Sequence, residues 1–140
     1  MWLLAALLGM GLLHWLLPGA VLLQAPWRWI GLGPVLGGLF LVLATVAQLH
    51  RAHTGIRPFS EATTLVRLGG FHWSRNPIYL ADLLVLVAVA CWIGHLFAFV
   101  GCAVFVAWMN RFQIAPEEVA LTRLFGENYV AYCQRVRRWI

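Results

Sequence analysis

Apolar residues in this chain come in long unbroken runs, not in the three-to-four-residue rhythm of a helix with one wet face. The first run, Trp2 to Leu17, ends at Pro18-Gly19, and a short connection holding Pro26, Trp27, Arg28 and Trp29 leads to the second, Ile30 to Leu49. A third extends from Ile78 to Met109. Helices apolar all round need an apolar surrounding, and about 20 such residues cross a bilayer core about 30 Å thick. At 1.5 Å per residue the third run would make about 50 Å of helix, too much for one crossing. Gly94-His95, beside Trp92, is its polar break near the middle, so the chain is expected to turn there and bring both ends of the run to one membrane face. The pattern predicts an all-α integral membrane protein with about four transmembrane helices, the last two paired as a hairpin and followed by cytosolic C-terminal helices. Residues 1–49 read as a two-helix membrane segment and 50–140 as a functional core within one overall domain.

Polar stretches refine this outline. Between His50 and Asn76, Ser60 followed by Glu61 reads as an N-cap with an acidic first turn, so SEATTLVRL is expected to form a short surface helix closed by Gly69-Gly70. In the tail, Pro116 suits the first helical position with Glu117 and Glu118 just inside, and Gly126 suits the end of that helix before Glu127 begins another. Leu121, Leu124, Phe125, Tyr129, Tyr132, Cys133, Val136 and Trp139 then share helical spacing and form a packing face. Gly33 and Gly37, with Gly38 beside them, make a small-xxx-small seam suited to close helix approach.

Composition agrees with a membrane setting. Hydrophobic residues make up 62% of the chain and charged residues 11%, with mean hydropathy +0.81, whereas soluble domains carry about 25% charged residues. The formal net charge of +5 comes entirely from Arg. Arg28 stands alone in the first connection, while the other Arg residues gather between Arg51 and Arg75 and between Arg111 and Arg138. Arg-rich loops stay cytoplasmic during insertion, so this distribution sets topology, with the C-terminus in the cytoplasm, and does not call for nucleic acid. Cys91, Cys102 and Cys133 have no paired spacing, and no disulfide or zinc site is expected. His50 and His53 are three apart without further ligands nearby in sequence, so no metal is expected there, and His14 and His95 read as packing or interface residues toward the outer side.

The candidate chemistry lies at the two ends of the third run. In RNPIY, Asn76 is a good N-cap and Pro77 a good first helical residue, which accounts for both without a ligand but leaves Arg75 and Tyr79 unexplained. Asp82, further into the run, is a secondary candidate because an ionisable group there needs a partner. Glu117 and Glu118 alone can be read as acids complementing a helix dipole. The return of the hairpin brings them beside Arg75 and Tyr79, and convergent polar groups in an apolar wall are the expected form of a small-molecule site.

The order LGGFHWSRNPIYL, an apolar hairpin, then NRFQIAPEEVALTRLFGENYVAYCQRVRRWI resembles the membrane-bound methyltransferases that include isoprenylcysteine carboxyl methyltransferases and phospholipid N-methyltransferases. Their pattern is a Gly-rich turn, R-H-P-x-Y, a spacer, a Glu-Glu pair and F-G-x-x-Y. Here it covers roughly Gly69 to Ile140, with Asn76 in place of the His, in the manner of short bacterial members of the inner membrane. The resemblance implies binding of S-adenosylmethionine by Gly70, Arg75, Asn76, Pro77, Tyr79, Glu117 and Glu118, with Arg75 and Glu118 as catalytic candidates and a lipid-like or small amphiphilic acceptor. Two other readings stay open: a nicotinamide-dependent membrane reductase of the sterol-reductase type, and a non-catalytic helical bundle.

Overall fold

The computed structural model describes residues 1–17, 19–51 and 69–140, so His53 and the SEATTLVRL segment lie outside the described residues. Among the described residues six α-helices follow in order: α1 (Trp2–Leu16), α2 (Leu32–Arg51), α3 (Pro77–Ile93), α4 (Leu96–Trp108), α5 (Ala115–Phe125) and α6 (Glu127–Arg135). A 3-10 turn, Trp27–Gly31, leads directly into α2, and a second, Gly69–His72, precedes α3. Two continuous helical stretches, Trp27–Arg51 and Leu96–Phe125, are long and apolar enough to cross a membrane, while Trp2–Leu16 and Pro77–Ile93 are shorter apolar helices. Of about four expected crossings, two therefore meet the length requirement in full.

The described residues divide into two compact units, one built from residues 1–39 and 81–108, the other from residues 40–80 and 109–140. In the first, α1 and α4 are antiparallel: Trp2 meets Trp108 at one end, with ring centroids 5.8 Å apart, and His14 meets His95 at the other, at 4.7 Å. Between these pairs, fully buried Met10 occupies the space beside Gly101, where an added Cβ would come 2.5 Å from Met10 Cγ. The α2–α3 seam rests on Gly31 and Gly38, not on the expected Gly33 and Gly37. A Cβ on Gly31 would lie 2.9 Å from the Ala88 carbonyl oxygen and one on Gly38 3.2 Å from that of Ala81, whereas Gly33 faces open space and Gly37 only touches Leu84 at 3.9 Å. A four-residue spacing identifies a small stripe but not which side of the helix meets a neighbour.

The turn expected at Gly94-His95 is present. Gly94 has φ +75°, a backbone conformation that favours glycine, and its carbonyl accepts from Leu22 N at 2.7 Å and Leu23 N at 3.1 Å, while Leu96 N donates to Ala20 O at 3.0 Å. Residues 19–23 thereby satisfy the backbone groups freed where the helix breaks, a requirement in an apolar surrounding. Arg28 contributes to the same end through Nε, which donates to Leu23 O at 3.3 Å.

In the second unit, contrary to expectation, α5 does not start afresh at Pro116; the chain continues from α4 through a π-helical turn, Met109–Ile114, into α5. Pro116 lacks an N–H and its ring would crowd the carbonyl four residues earlier in a regular α-helix; the wider π turn just upstream accommodates it and keeps the helix continuous. Gly126, with φ +53°, ends α5 and opens α6. Tyr129, Tyr132 and Val136 form the buried core where α6 meets α5, with Leu121, Phe125 and Cys133 packed around them.

Candidate active site

The candidate residues converge in the second unit, at the start of α3. Gly69, at φ +64°, turns the chain, and Gly70 is buried where a Cβ would collide with Thr45 Oγ1 of α2 and lie 3.0 Å from Pro77 Cβ. What Gly70 supplies is close packing that seats the turn against α2. Its carbonyl accepts from Trp73 N and Ser74 N, both at 3.2 Å. Asn76 occupies the cap position, its carbonyl accepting the helical bond from Leu80 N at 2.9 Å. Its side-chain Nδ2 donates to Arg138 O at 3.1 Å, and Ser74 Oγ accepts from the Asn76 backbone N–H at 3.1 Å. Pro77 is fully buried as the first residue of α3.

The return of the chain is direct. Tyr79 OH donates to Glu117 Oε2 at 3.2 Å, and Gln113 Nε2, one turn before Glu117, donates to the Tyr79 hydroxyl oxygen at 3.2 Å. Arg75 Nη1 lies 2.9 Å from Glu118 Oε1 and also donates to Cys133 Sγ at 3.0 Å. Arg138 grips the same carboxylate with both arms of its fork, Nε to Oε1 at 3.1 Å and Nη2 to Oε2 at 2.5 Å. The Arg75 and Glu118 side chains are only 17% and 18% exposed, so their pair is shielded enough to matter beyond an ordinary surface pair, whereas Arg138, at 37%, closes the cluster from the solvent side. Hydrogen bonding to Glu118 raises the Arg138 guanidinium above its ordinary range, and burial raises the Tyr129 phenol, so the first remains a cation and the second a neutral phenol in the working pH range.

Of the sequence-predicted residues, Arg75, Asn76, Tyr79, Glu117 and Glu118 are brought into one network, Gly70 and Pro77 frame it, and Asp82 belongs to the first unit. Residues that the sequence reading did not include in the site also join: Ser74, Gln113, Cys133 and Arg138. Gln113 carried a signal, being a polar residue one helical turn before Glu117. Arg138 carried none beyond its basic character, which reads as a topology signal.

The arrangement suits an organic ligand with a carboxylate and hydroxyls. Arg75 Nε is buried and has no hydrogen-bond partner among the described residues, which leaves a donor for a ligand oxygen. Glu118 is neutralised by two guanidinium groups, whereas Glu117 faces a neutral phenol, and an ionised carboxylate has about four acceptor positions. Arg75 and Glu117 therefore offer a hydrogen-bond donor and acceptor positions within one network.

Comparison with known proteins places this geometry in context. The sequence profile of the phospholipid methyltransferase family matches residues 26–128. A Haemophilus influenzae protein described as uncharacterized is 44% identical over 63 residues, which is 45% of this chain and the whole of that protein. No solved structure matches the chain.

Proposed function

The chain belongs to the phospholipid methyltransferase family, and from that premise we propose that it transfers a methyl group from S-adenosylmethionine to an amphiphilic or lipid-like acceptor at the cytoplasmic face of a membrane. The family is one of membrane methyltransferases, and the two long apolar helical stretches agree with that setting. The observation that carries the finer reading is a network in which a partly unsatisfied Arg75 pairs with Glu118 while Tyr79 holds the neighbouring Glu117, residues brought together from opposite ends of the hairpin.

S-adenosylmethionine supplies a methyl group already activated by its sulfonium centre. The protein then needs to align and dehydrate more than to provide a strong base. Arg75 binds the carboxylate of the cofactor through Nε and stays oriented because Glu118 holds Nη1. Glu117 accepts from cofactor hydroxyls or the amino group while Tyr79 fixes its other oxygen. Glu118 orders the guanidinium groups. The Arg-rich composition of the second unit, with Arg51, Arg75, Arg111, Arg123, Arg135, Arg137 and Arg138, supports a cytoplasmic location for the site.

Calorimetric titration of the detergent-solubilised full chain with S-adenosylhomocysteine tests this reading. Wild type is expected to bind, and Arg75→Gln to bind at least about tenfold more weakly, the loss of a charge-assisted contact. A folded wild-type protein that takes up no ligand would overturn it. Transfer of a labelled methyl group from S-adenosylmethionine into extracted membrane lipid would identify the acceptor class.

A further inference from the structure

We propose that Arg138 is a positioning residue, and that the C-terminal segment from Val136 onward is a clasp that holds the Ser74–Asn76 turn and the Glu118 carboxylate in ligand-binding register. The proposal rests on the methyltransferase reading for its ligand readout and on geometry alone for the rest.

After α6 ends, Val136 turns extended, at φ −120° and ψ 130°, while its side chain stays in the core with Tyr129 and Tyr132. The backbone then runs along the turn. Arg75 N donates to Arg137 O at 3.0 Å, Ser74 Oγ donates to Arg138 O at 3.2 Å, and Asn76 Nδ2 donates to that same oxygen at 3.1 Å. Three consecutive turn residues thus bind two consecutive tail carbonyls. Trp139 Nε1 anchors the far side by donating to Asn110 Oδ1 at 3.1 Å, and Tyr132 OH holds Phe71 O at 2.7 Å.

Arg138 joins the two halves of this arrangement. Its carbonyl holds the turn, and its guanidinium holds Glu118 on α5. Because Arg75 Nη1 leans on Glu118 Oε1, the direction of the Arg75 guanidinium depends on how that carboxylate is rotated, and a two-point grip fixes rotation where a single point would not. Lysine offers one ammonium, which supplies the charge without the fork. A role in charge balance alone therefore predicts rescue by Lys, whereas positioning predicts a partial defect.

The test uses the full chain in detergent and two measurements on each variant: amide hydrogen exchange of the turn without ligand, and titration with S-adenosylhomocysteine. Arg138→Gln is expected to speed exchange at Arg75 and Asn76 about tenfold while α1 and α4 keep wild-type protection, and to weaken ligand binding about tenfold. Arg138→Lys should fall between. Arg135→Gln, which removes the same charge from an exposed position of α6, should match wild type in both measurements. If Arg138→Gln does not fold, Asn110→Ala loosens the anchor of the same tail and should move both readouts in the same direction, about threefold. Wild-type exchange and affinity in either folded variant would overturn the clasp, as would full rescue by Lys. Faster turn exchange in Arg138→Gln, in a protein whose wild type takes up no ligand, would sink the methyltransferase reading and leave the clasp standing.

Discussion

The two units hold themselves together by different means. In the first, helices approach through missing side chains: Met10 fits beside Gly101, and the Ala81 and Ala88 carbonyls face Gly38 and Gly31. Its polar contacts at the turn by Gly94 are backbone groups, the His14–His95 ring pair and the Arg28 side chain on Leu23 O. In the second, both ion pairs found among the described residues share one carboxylate, Glu118, and hydrogen bonds link Gln113, Tyr79 and Glu117 beside it. Lipid tails supply no hydrophobic force between helices, so shape must provide it in the first unit. Shielded polar networks are costly unless fully satisfied, and the one in the second unit leaves Arg75 Nε unsatisfied. The contrast sets a scaffold closed by shape against a polar network with an unused donor, which on the proposed reading is where the ligand binds.

The largest blow to this contrast should come from Glu118→Gln. It leaves Arg75 and Arg138 facing each other without a counter-charge; removing one member of a fully buried pair costs about 3 kcal/mol or more, and in this partly shielded cluster the cost should approach that lower figure. A pronounced drop in thermal midpoint in detergent, together with loss of S-adenosylhomocysteine binding, is expected. A stable variant would mean that the charges are solvated and the site is not shielded. Next is Gly70→Ala, whose methyl would meet Thr45 Oγ1 and Pro77. Overpacking of this kind costs about 2 kcal/mol, and Thr45→Ala in the same chain should return part of it. Gly31→Ala probes the first unit in the same way. Its methyl would press on a backbone oxygen, Ala88 O, that cannot rotate aside, so stability should fall by about 1.5 kcal/mol while ligand affinity stays within about twofold. A large loss of affinity there would show that the scaffold and the ligand site are not separable.

How much of this was legible in the sequence differs between the units as well. The break at Gly94-His95 and the joint at Gly126 could be read because a glycine with positive φ interrupts an apolar or periodic run, and local chemistry determines such points. The meeting of Arg75 and Tyr79 with Glu117 and Glu118 followed from length alone, since a run too long for one crossing has to return. Which glycines form the α2–α3 seam did not follow, because the choice between Gly31 with Gly38 and Gly33 with Gly37 depends on the rotation of the helix. The continuity through Met109–Ile114 was equally hidden: a π turn has the same residue types as an α-helix, and Pro116 signalled a start without revealing that the helix was already under way. Arg138 is the clearest case. A basic C-terminus satisfies the positive-inside rule wherever its side chains go, so its grip on Glu118 is a property of tertiary structure only.

The smallest expected effect is also the one that best distinguishes fold from ligand within the second unit. Tyr79→Phe keeps the ring and removes the hydroxyl that stands between Gln113 and Glu117. Each of the hydroxyl's two hydrogen bonds is worth about 1 kcal/mol, the one to the Glu117 carboxylate somewhat more. If Glu117 serves the cofactor, that loss should appear mainly in ligand affinity, as a weakening of about fivefold, because the carboxylate becomes free to rotate while Glu118 and its two guanidinium groups still hold the turn to α5. If the Tyr79–Glu117 pair instead serves the fold, the thermal midpoint should fall and the affinity of the folded fraction should not change. Calorimetry and thermal unfolding on the same preparation separate the two. A lowered midpoint with unchanged affinity would move Glu117 from the binding site to the scaffold, leaving Arg75 as the cofactor contact on which the proposed chemistry would then depend.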